Sequence, residues 1–123
     1  MVMAFLLGLL ASLGTIVVIM LSILTVKWIK AEIEKKLKAH KSHKVAFADT
    51  REIMDSYLKK QAEGTPEISM DDLEAICEKT PFVMADYDED TEDVTYEGVK
   101  PDEIEGRVRR LMRQHDGMLV VGG

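Results

Sequence analysis

The sequence predicts a single-pass membrane protein with an N-terminal transmembrane helix, a basic juxtamembrane helix and a small α+β cytoplasmic domain. Residues 1–26 contain no charged side chain, although the chain has 16 basic and 22 acidic residues. Residues 27–44 hold seven lysines and two glutamates, for a net charge of +5. Residues 45–123 carry nine basic and twenty acidic side chains, for a net charge of −11. The average hydrophobic content of 46% therefore describes none of these segments.

The transmembrane helix is predicted over residues 1–26. Residues 3–26 are an uninterrupted uncharged run, and a bilayer core about 30 Å thick needs about 20 apolar residues in a helix. A helix satisfies its own backbone hydrogen bonds, as a lipid environment requires. A cleaved signal peptide is the alternative, but it has a basic start and a shorter apolar core. We therefore expect the helix to be retained.

The basic segment predicts the orientation of that helix. Basic flanks remain in the cytoplasm, so the N-terminus is expected outside and residues 45–123 inside. Lys27, Trp28 and Lys30 stand where membrane-interface anchors belong. The lysines of residues 27–44 can attract anionic lipid head groups, or they can act as a topology determinant alone.

Small residues recur in the apolar run at alternating spacings of four and three. In lipid, such a seam lets two helices pack closely. It predicts a homo-oligomer or a subunit of a larger membrane complex, with a chance distribution of small residues as the alternative. The seam consists of Ala4, Gly8, Ala11, Thr15, Val18, Ser22 and Thr25.

A basic helix is predicted directly after the apolar run. Glu32 and Glu34 each have a lysine four residues later, and this spacing stabilises a helix. The helix is expected to continue from the membrane to about residue 40.

Three helices are predicted in the acidic domain. Asp49 and Ser69 are suitable N-cap residues for the first two, and the first is expected to cover residues 50–62. Pro101 is typical of the first position of a helix, and Gly117 marks the end of the third.

Short strands complete the predicted α+β domain. Residues 82–85 and 94–99 are rich in β-prone side chains and flank a polar, acidic stretch, a pattern typical of a β-hairpin. Residues 118–121 are predicted as a C-terminal strand.

The acidic stretch between the two hairpin strands partly matches a calcium-binding loop. Asp86, Asp88, Asp90 and Glu97 stand at positions that supply ligand oxygens in such loops. Thr91, however, occupies the position of the glycine that makes the sharp turn. A solvated hairpin turn is the favoured interpretation, an acidic docking surface is another, and no metal site is predicted.

Four arginines concentrate on the predicted third helix and form a possible anion-binding cluster. Guanidinium groups bind phosphate well, but pairing with the abundant neighbouring carboxylates is the favoured interpretation. These residues are Arg107, Arg109, Arg110 and Arg113.

No catalytic arrangement or cofactor motif is recognisable, so no enzyme activity and no cofactor are predicted. The lone Cys77 excludes a disulfide-stapled secreted domain, and its helical spacing favours a core position. The net charge of −11 in residues 45–123 disfavours nucleic-acid binding.

Together, these features predict a non-enzymatic bitopic accessory subunit. It would assemble through its transmembrane helix and dock a partner with its acidic domain. The alternative is a membrane-anchored sensor-effector, whose cytoplasmic domain binds a small anion or nucleotide at the arginines and reorganises oligomerised helices.

Overall fold

A five-stranded mixed sheet forms the centre of the molecule. The computed structural model describes residues 8–39, 44–60, 69–88, 90–91 and 93–122. Along the sheet the strands follow the order β1-β4-β3-β2-β5. β1 is parallel to β4, and all other neighbours are antiparallel. In chain order the elements are β1 (Val17–Leu24), α1 (Val26–Ala39), β2 (Lys44–Asp49), α2 (Thr50–Lys60), α3 (Met70–Lys79), β3 (Phe82–Tyr87), β4 (Val94–Ile104), α4 (Gly106–Gln114) and β5 (Met118–Gly122).

The predicted transmembrane helix is wrong. Residues 8–12 are helical, residues 13–15 form a turn, and the next part of the apolar run is the edge strand β1. Across the described ranges, no helix is long and apolar enough to span a membrane. This finding overturns the predicted single-pass membrane protein, its outside-to-cytoplasm orientation and its membrane localisation.

Backbone pairing explains why the apolar run contains a strand. The five residues from Thr15 to Ile19 are all β-branched, and such side chains favour extended backbone. β4 supplies a parallel ladder, in which Val17 is the partner of Glu97 and Leu24 is the partner of Ile104. Because a continuous apolar run does not by itself distinguish a strand from a helix, this distant partner is decisive.

Helices cover both faces of the sheet. On one face, α1 and α4 bury Ile29, Ile33, Val108 and Met112 against the strands. On the other face, α2, α3 and the N-terminal helical residues form two smaller apolar clusters. Alternate residues of a strand serve opposite faces, so the fold has three layers, with the sheet in the middle.

The predicted juxtamembrane helix exists as α1, but it packs in the core. Ile29 and Ile33 are buried, and Thr25 caps the helix by accepting a hydrogen bond from the Trp28 amide at 3.0 Å. The apolar side of α1 therefore faces the sheet.

Two predicted helix starts in the acidic region are confirmed. The Asp49 carboxylate accepts hydrogen bonds from the amides of Arg51 at 3.1 Å and Glu52 at 3.3 Å. The Ser69 hydroxyl accepts one from the amide of Asp72 at 3.2 Å. These contacts satisfy amides that the first turn of a helix cannot pair internally.

The predicted helix start at Pro101 is wrong. Pro101 lies inside β4, and α4 begins at Gly106. The pairing between β3 and β4 ends at Phe82 and Val99, so within the described ranges the later part of β4 pairs with β1 alone. A proline, which has no amide hydrogen to donate, is tolerated where one side of a strand is not paired.

The predicted hairpin and C-terminal strand are confirmed. β3 and β4 pair antiparallel, with Tyr87 opposite Val94 next to the turn. β5 follows Gly117, whose φ of +89° is a backbone conformation that favours glycine. β5 then pairs with β2 at the other edge of the sheet.

Candidate functional site

β1 presents an unusually apolar sheet edge. Among the described strands its one neighbour is β4, and an edge strand offers backbone groups that another strand can pair with. None of its eight residues is charged. Val17 and Met20 are each 67% exposed and Ile23 is 47% exposed. We call residues 17–24 the β1 edge.

The inner side of β1 is held firmly in the fold. Leu24 is fully buried in the core beneath α1 and α4, and Leu21 packs against the same cluster. Val18 approaches Gly98 so closely that a Cβ on the glycine would lie 3.1 Å from Val18 Cγ2. The exposed side chains of the β1 edge therefore stand on a well-packed strand.

A groove runs beside the β1 edge, between the sheet and α1. Its volume is about 430 Å³. Four of the α1 residues lining it recur at intervals of four, three and four, so they occupy one side of the helix. We call this cavity the Trp28 groove, and its lining consists of Ile19, Trp28, Glu32, Lys35, Lys36, Ala39, Asp86 and Glu97.

The Trp28 groove combines apolar surface with charged side chains of both signs. Trp28 and Ile19 supply apolar surface. Lys36 Nζ lies 3.7 Å from Glu97 Oε1, an ion pair between α1 and β4. Both signs of charge line the groove, and among the residues that the structure describes its lining holds no Ser, Cys or His.

The seven predicted seam residues do not share one helix face. Gly8 and Ala11 are in the N-terminal helical residues, Val18 and Ser22 are in β1, and Ala4 lies outside the described residues. Thr15 belongs to the turn, and Thr25 caps α1. The signal that sequence reasoning missed here was the run of β-branched residues after the turn.

The predicted membrane anchors belong to α1. Lys27 and Lys30 are exposed, whereas Trp28 is half-buried and lines the Trp28 groove. The aromatic side chain therefore packs between α1 and the sheet edge.

The structure distributes the four arginines around α4 instead of gathering them. Arg107 and Arg110 line a shallow cavity of about 360 Å³ with Val26 and Leu111. Arg107 Nε donates a hydrogen bond to Glu105 Oε1 at 3.2 Å. The same oxygen accepts a hydrogen bond from the Val26 amide at 3.3 Å.

The other two arginines lie toward α2. Arg113 Nε is 3.9 Å from Glu52 Oε1. Asp49 is buried, and burial raises the pKa of its carboxyl group, although hydrogen bonds from the Glu52 and Arg51 amides and the charge of Arg109 oppose this effect. Arg107 and Arg110 thus share a cavity, whereas Arg113 lies beside Glu52.

The partial calcium-loop match falls on a hairpin turn and its flanking strands. Asp86 and Glu97 belong to β3 and β4 and line the Trp28 groove. Asp88 Oδ1 accepts hydrogen bonds from the amides of Asp90 at 2.9 Å and Thr91 at 3.4 Å. Within the described part of the chain, no group of three His, Cys, Asp or Glu side chains is placed to hold a metal.

Cys77 is a buried thiol on α3. Burial raises the pKa of the thiol above its ordinary value, and its Sγ lies 3.8 Å from Met54 Sδ. A protonated, buried thiol is a poor nucleophile.

Comparisons of the chain with known protein families, with curated proteins and with solved structures find no match. The candidate site therefore rests on the geometry of the β1 edge and the Trp28 groove.

Proposed function

We propose that the chain is a protein-interaction module that assembles by accepting a further strand at the β1 edge. The observation that carries this proposal is the combination of an outer strand, eight uncharged residues and three exposed large apolar side chains, at Val17, Met20 and Ile23. Natural edge strands usually carry charges, proline or bulges that discourage such pairing. The β1 edge has neither a charge nor a proline.

The energetics of strand addition suit this surface. A docked strand gains main-chain hydrogen bonds along the edge, and its alternate side chains supply specificity. Covering the exposed apolar side chains adds about 25 cal/mol for each Å² removed from water. The Trp28 groove lies next to Ile19 of β1, so side chains on one face of the added strand can reach Trp28.

A peptide with the sequence of residues 17–24, carrying lysine tags at both ends, tests the proposal. Fluorescence anisotropy of the labelled peptide should report saturable binding to the full chain. Met20→Lys in the protein should weaken binding by about tenfold or more, since a desolvated charge easily exceeds the 1.4 kcal/mol that tenfold represents. Val120→Lys is the matched control, because Val120 is 49% exposed on β5 at the opposite edge.

A second form of the peptide isolates the backbone contribution. Methylation of alternate amide nitrogens removes ladder donors while leaving the side chains unchanged. Alternate amides can be methylated in two patterns, starting from the first or from the second residue. Methylation in one of these patterns should abolish binding. Equal binding of all forms, or equal binding to the wild type and Met20→Lys, would rule out strand addition.

Anion binding at the α4 cavity is a second candidate function. Arg107 and Arg110 line that cavity together with Val26 at the start of α1, and helix starts favour negative charge. The Glu105 carboxylate already occupies this position through the Val26 amide and Arg107. This internal anion makes the candidate weaker than strand addition.

A further inference from the structure

We infer that the strand added at the β1 edge is β1 of a second copy, paired antiparallel about a two-fold axis through Met20. This inference rests on the proposed function and names its partner. The two sheets would join into one continuous sheet. The two-fold axis would stand perpendicular to the sheet, so each copy would offer the same surface to the other.

The spacing of the exposed side chains matches this symmetry. Val17, Met20 and Ile23 are the large apolar residues that β1 exposes, and they are evenly spaced about Met20. In an antiparallel pair centred there, Val17 faces the partner's Ile23 and Met20 faces the partner's Met20. Residues directly opposite in such a pair pack against each other. One register thus gives each of the three exposed side chains an apolar neighbour in the other copy, with Val17 and Ile23 on one face of the sheet and Met20 on the other.

The charge distribution also favours an identical partner. At a two-fold axis any charged residue meets its own copy, and like charges directly opposite destabilise a strand pair. β1 has no charge, although the chain as a whole has a net charge of −6. Two copies that meet at the β1 edge therefore bring no like charges of β1 together, despite the negative net charge of each chain.

The α1 side of the interface carries complementary charges. Glu32 and Lys35 both line the Trp28 groove, beside β1. The two-fold axis makes the α1 helices of the two copies antiparallel.

β5 at the other edge is the competing partner for β1. It has five residues, against eight in β1, and exposes Val120. A contact between β1 and β5 of another copy would be head-to-tail and would continue into an open filament, whereas β1 with β1 closes as a dimer. The longer and closed pairing is the one we propose.

Sedimentation equilibrium of the full chain over a range of concentrations tests the dimer. The wild type should be a concentration-dependent dimer, and so should Val120→Lys. Met20→Lys and Met20→Glu should each be monomeric, because like charges meet at the axis. An equimolar mixture of these two variants should dimerise again. Circular dichroism checks that each variant is folded.

Disulfide trapping tests the register in a Cys77→Ala background. A mixture of Val17→Cys and Ile23→Cys chains should form a crosslinked heterodimer, whereas neither variant alone should crosslink. Homodimeric crosslinks in each separate variant would indicate a parallel pairing and overturn the proposal.

The remaining outcomes separate this inference from the proposed function. A dimer that persists in both Met20 variants would place the interface elsewhere and overturn the inference. Open-ended assembly that Val120→Lys abolishes would assign the contact to β5. A chain that stays monomeric but binds the tagged peptide would exclude the second copy and leave strand addition standing. Absence of both dimer and peptide binding would overturn both.

Discussion

Gly98 of β4 lies directly against Thr80: a Cβ added to the glycine would stand 2.7 Å from Thr80 Cγ2 and 3.1 Å from Val18 Cγ2. Thr80 follows α3, and its hydroxyl donates a hydrogen bond to the Ile76 carbonyl at 2.9 Å. One glycine therefore allows the end of α3, the middle of β4 and the edge strand β1 to approach one another. The β1 edge depends on this close packing.

Gly98→Ala should destabilise the protein by about 1–3 kcal/mol, the usual penalty for overpacking a filled site. Urea unfolding measures the change in the free energy of unfolding. Gly14→Ala is the matched control, because a Cβ there has no atom within 4 Å. If Gly98→Ala lowered the free energy of unfolding no more than Gly14→Ala does, the close packing around Gly98 would be contradicted.

Asp49 should make the stability of the protein depend on pH. Burial raises the pKa of its carboxyl group above the ordinary value of 3.8, so the native state holds this proton more tightly than the unfolded state. The raised pKa of Asp49 contributes fully to the free energy of unfolding below pH 3.8. This contribution is lost as the pH rises through the native pKa of Asp49.

The Asp49→Asn variant isolates that pH dependence. Asparagine is also a good N-cap, whereas Asp49→Ala should cost about 1 kcal/mol through loss of the cap. Relative to the wild type, Asp49→Asn should gain stability as the pH rises above 3.8. Urea unfolding at several pH values measures this difference, and a difference that does not vary with pH would show that the Asp49 pKa is not raised.

Cys77 should react slowly with a thiol reagent in the folded protein. The thiol is buried, and burial raises its pKa, so little thiolate is exposed to attack. Colorimetric thiol labelling should be slow in buffer and fast in denaturing urea. Rapid labelling without denaturant would contradict the burial of α3 against the sheet.

Glu105→Gln should increase anion binding at the α4 cavity. The Glu105 carboxylate holds the Val26 amide and Arg107, and its charge competes with any external anion. Inorganic phosphate at low ionic strength should raise the Tm of Glu105→Gln more than that of the wild type.

Two arginine variants control this experiment. Adding Arg110→Ala to Glu105→Gln should remove the extra shift, because Arg110 lines the cavity. Adding Arg109→Ala should leave it intact, because Arg109 is not among the described residues that line the cavity. The same shift in all variants would mean that phosphate acts nonspecifically.

Local signals predicted several elements correctly. The caps at Asp49 and Ser69 and the turn at Gly117 were recognisable because each depends on neighbouring residues and their own backbone. The helix start predicted at Pro101 was wrong because a strand can accept proline at this position only where β3 has stopped pairing with β4. That boundary belongs to another part of the chain.

The candidate site was harder to predict from the sequence than these local elements were. The apolar stretch was predicted as a transmembrane helix and its small-residue seam was defined for that helix, whereas residues 17–24 form a strand. The Trp28 groove joins residues of α1, β1, β3 and β4, and no spacing along the chain relates them. The arginines are close in sequence, yet Arg107 and Arg113 lie on different sides of α4 and pair with different carboxylates.

The sequence by itself determined the segregation of charge, the helix caps, the hairpin and the uncharged character of the N-terminal stretch. The tertiary structure alone decided that residues 17–24 form a strand at the edge of a sheet. The physical reason is that a helix pairs its backbone internally, whereas a strand needs a partner. That partner is β4, far along the chain, and local pattern carries no information about it.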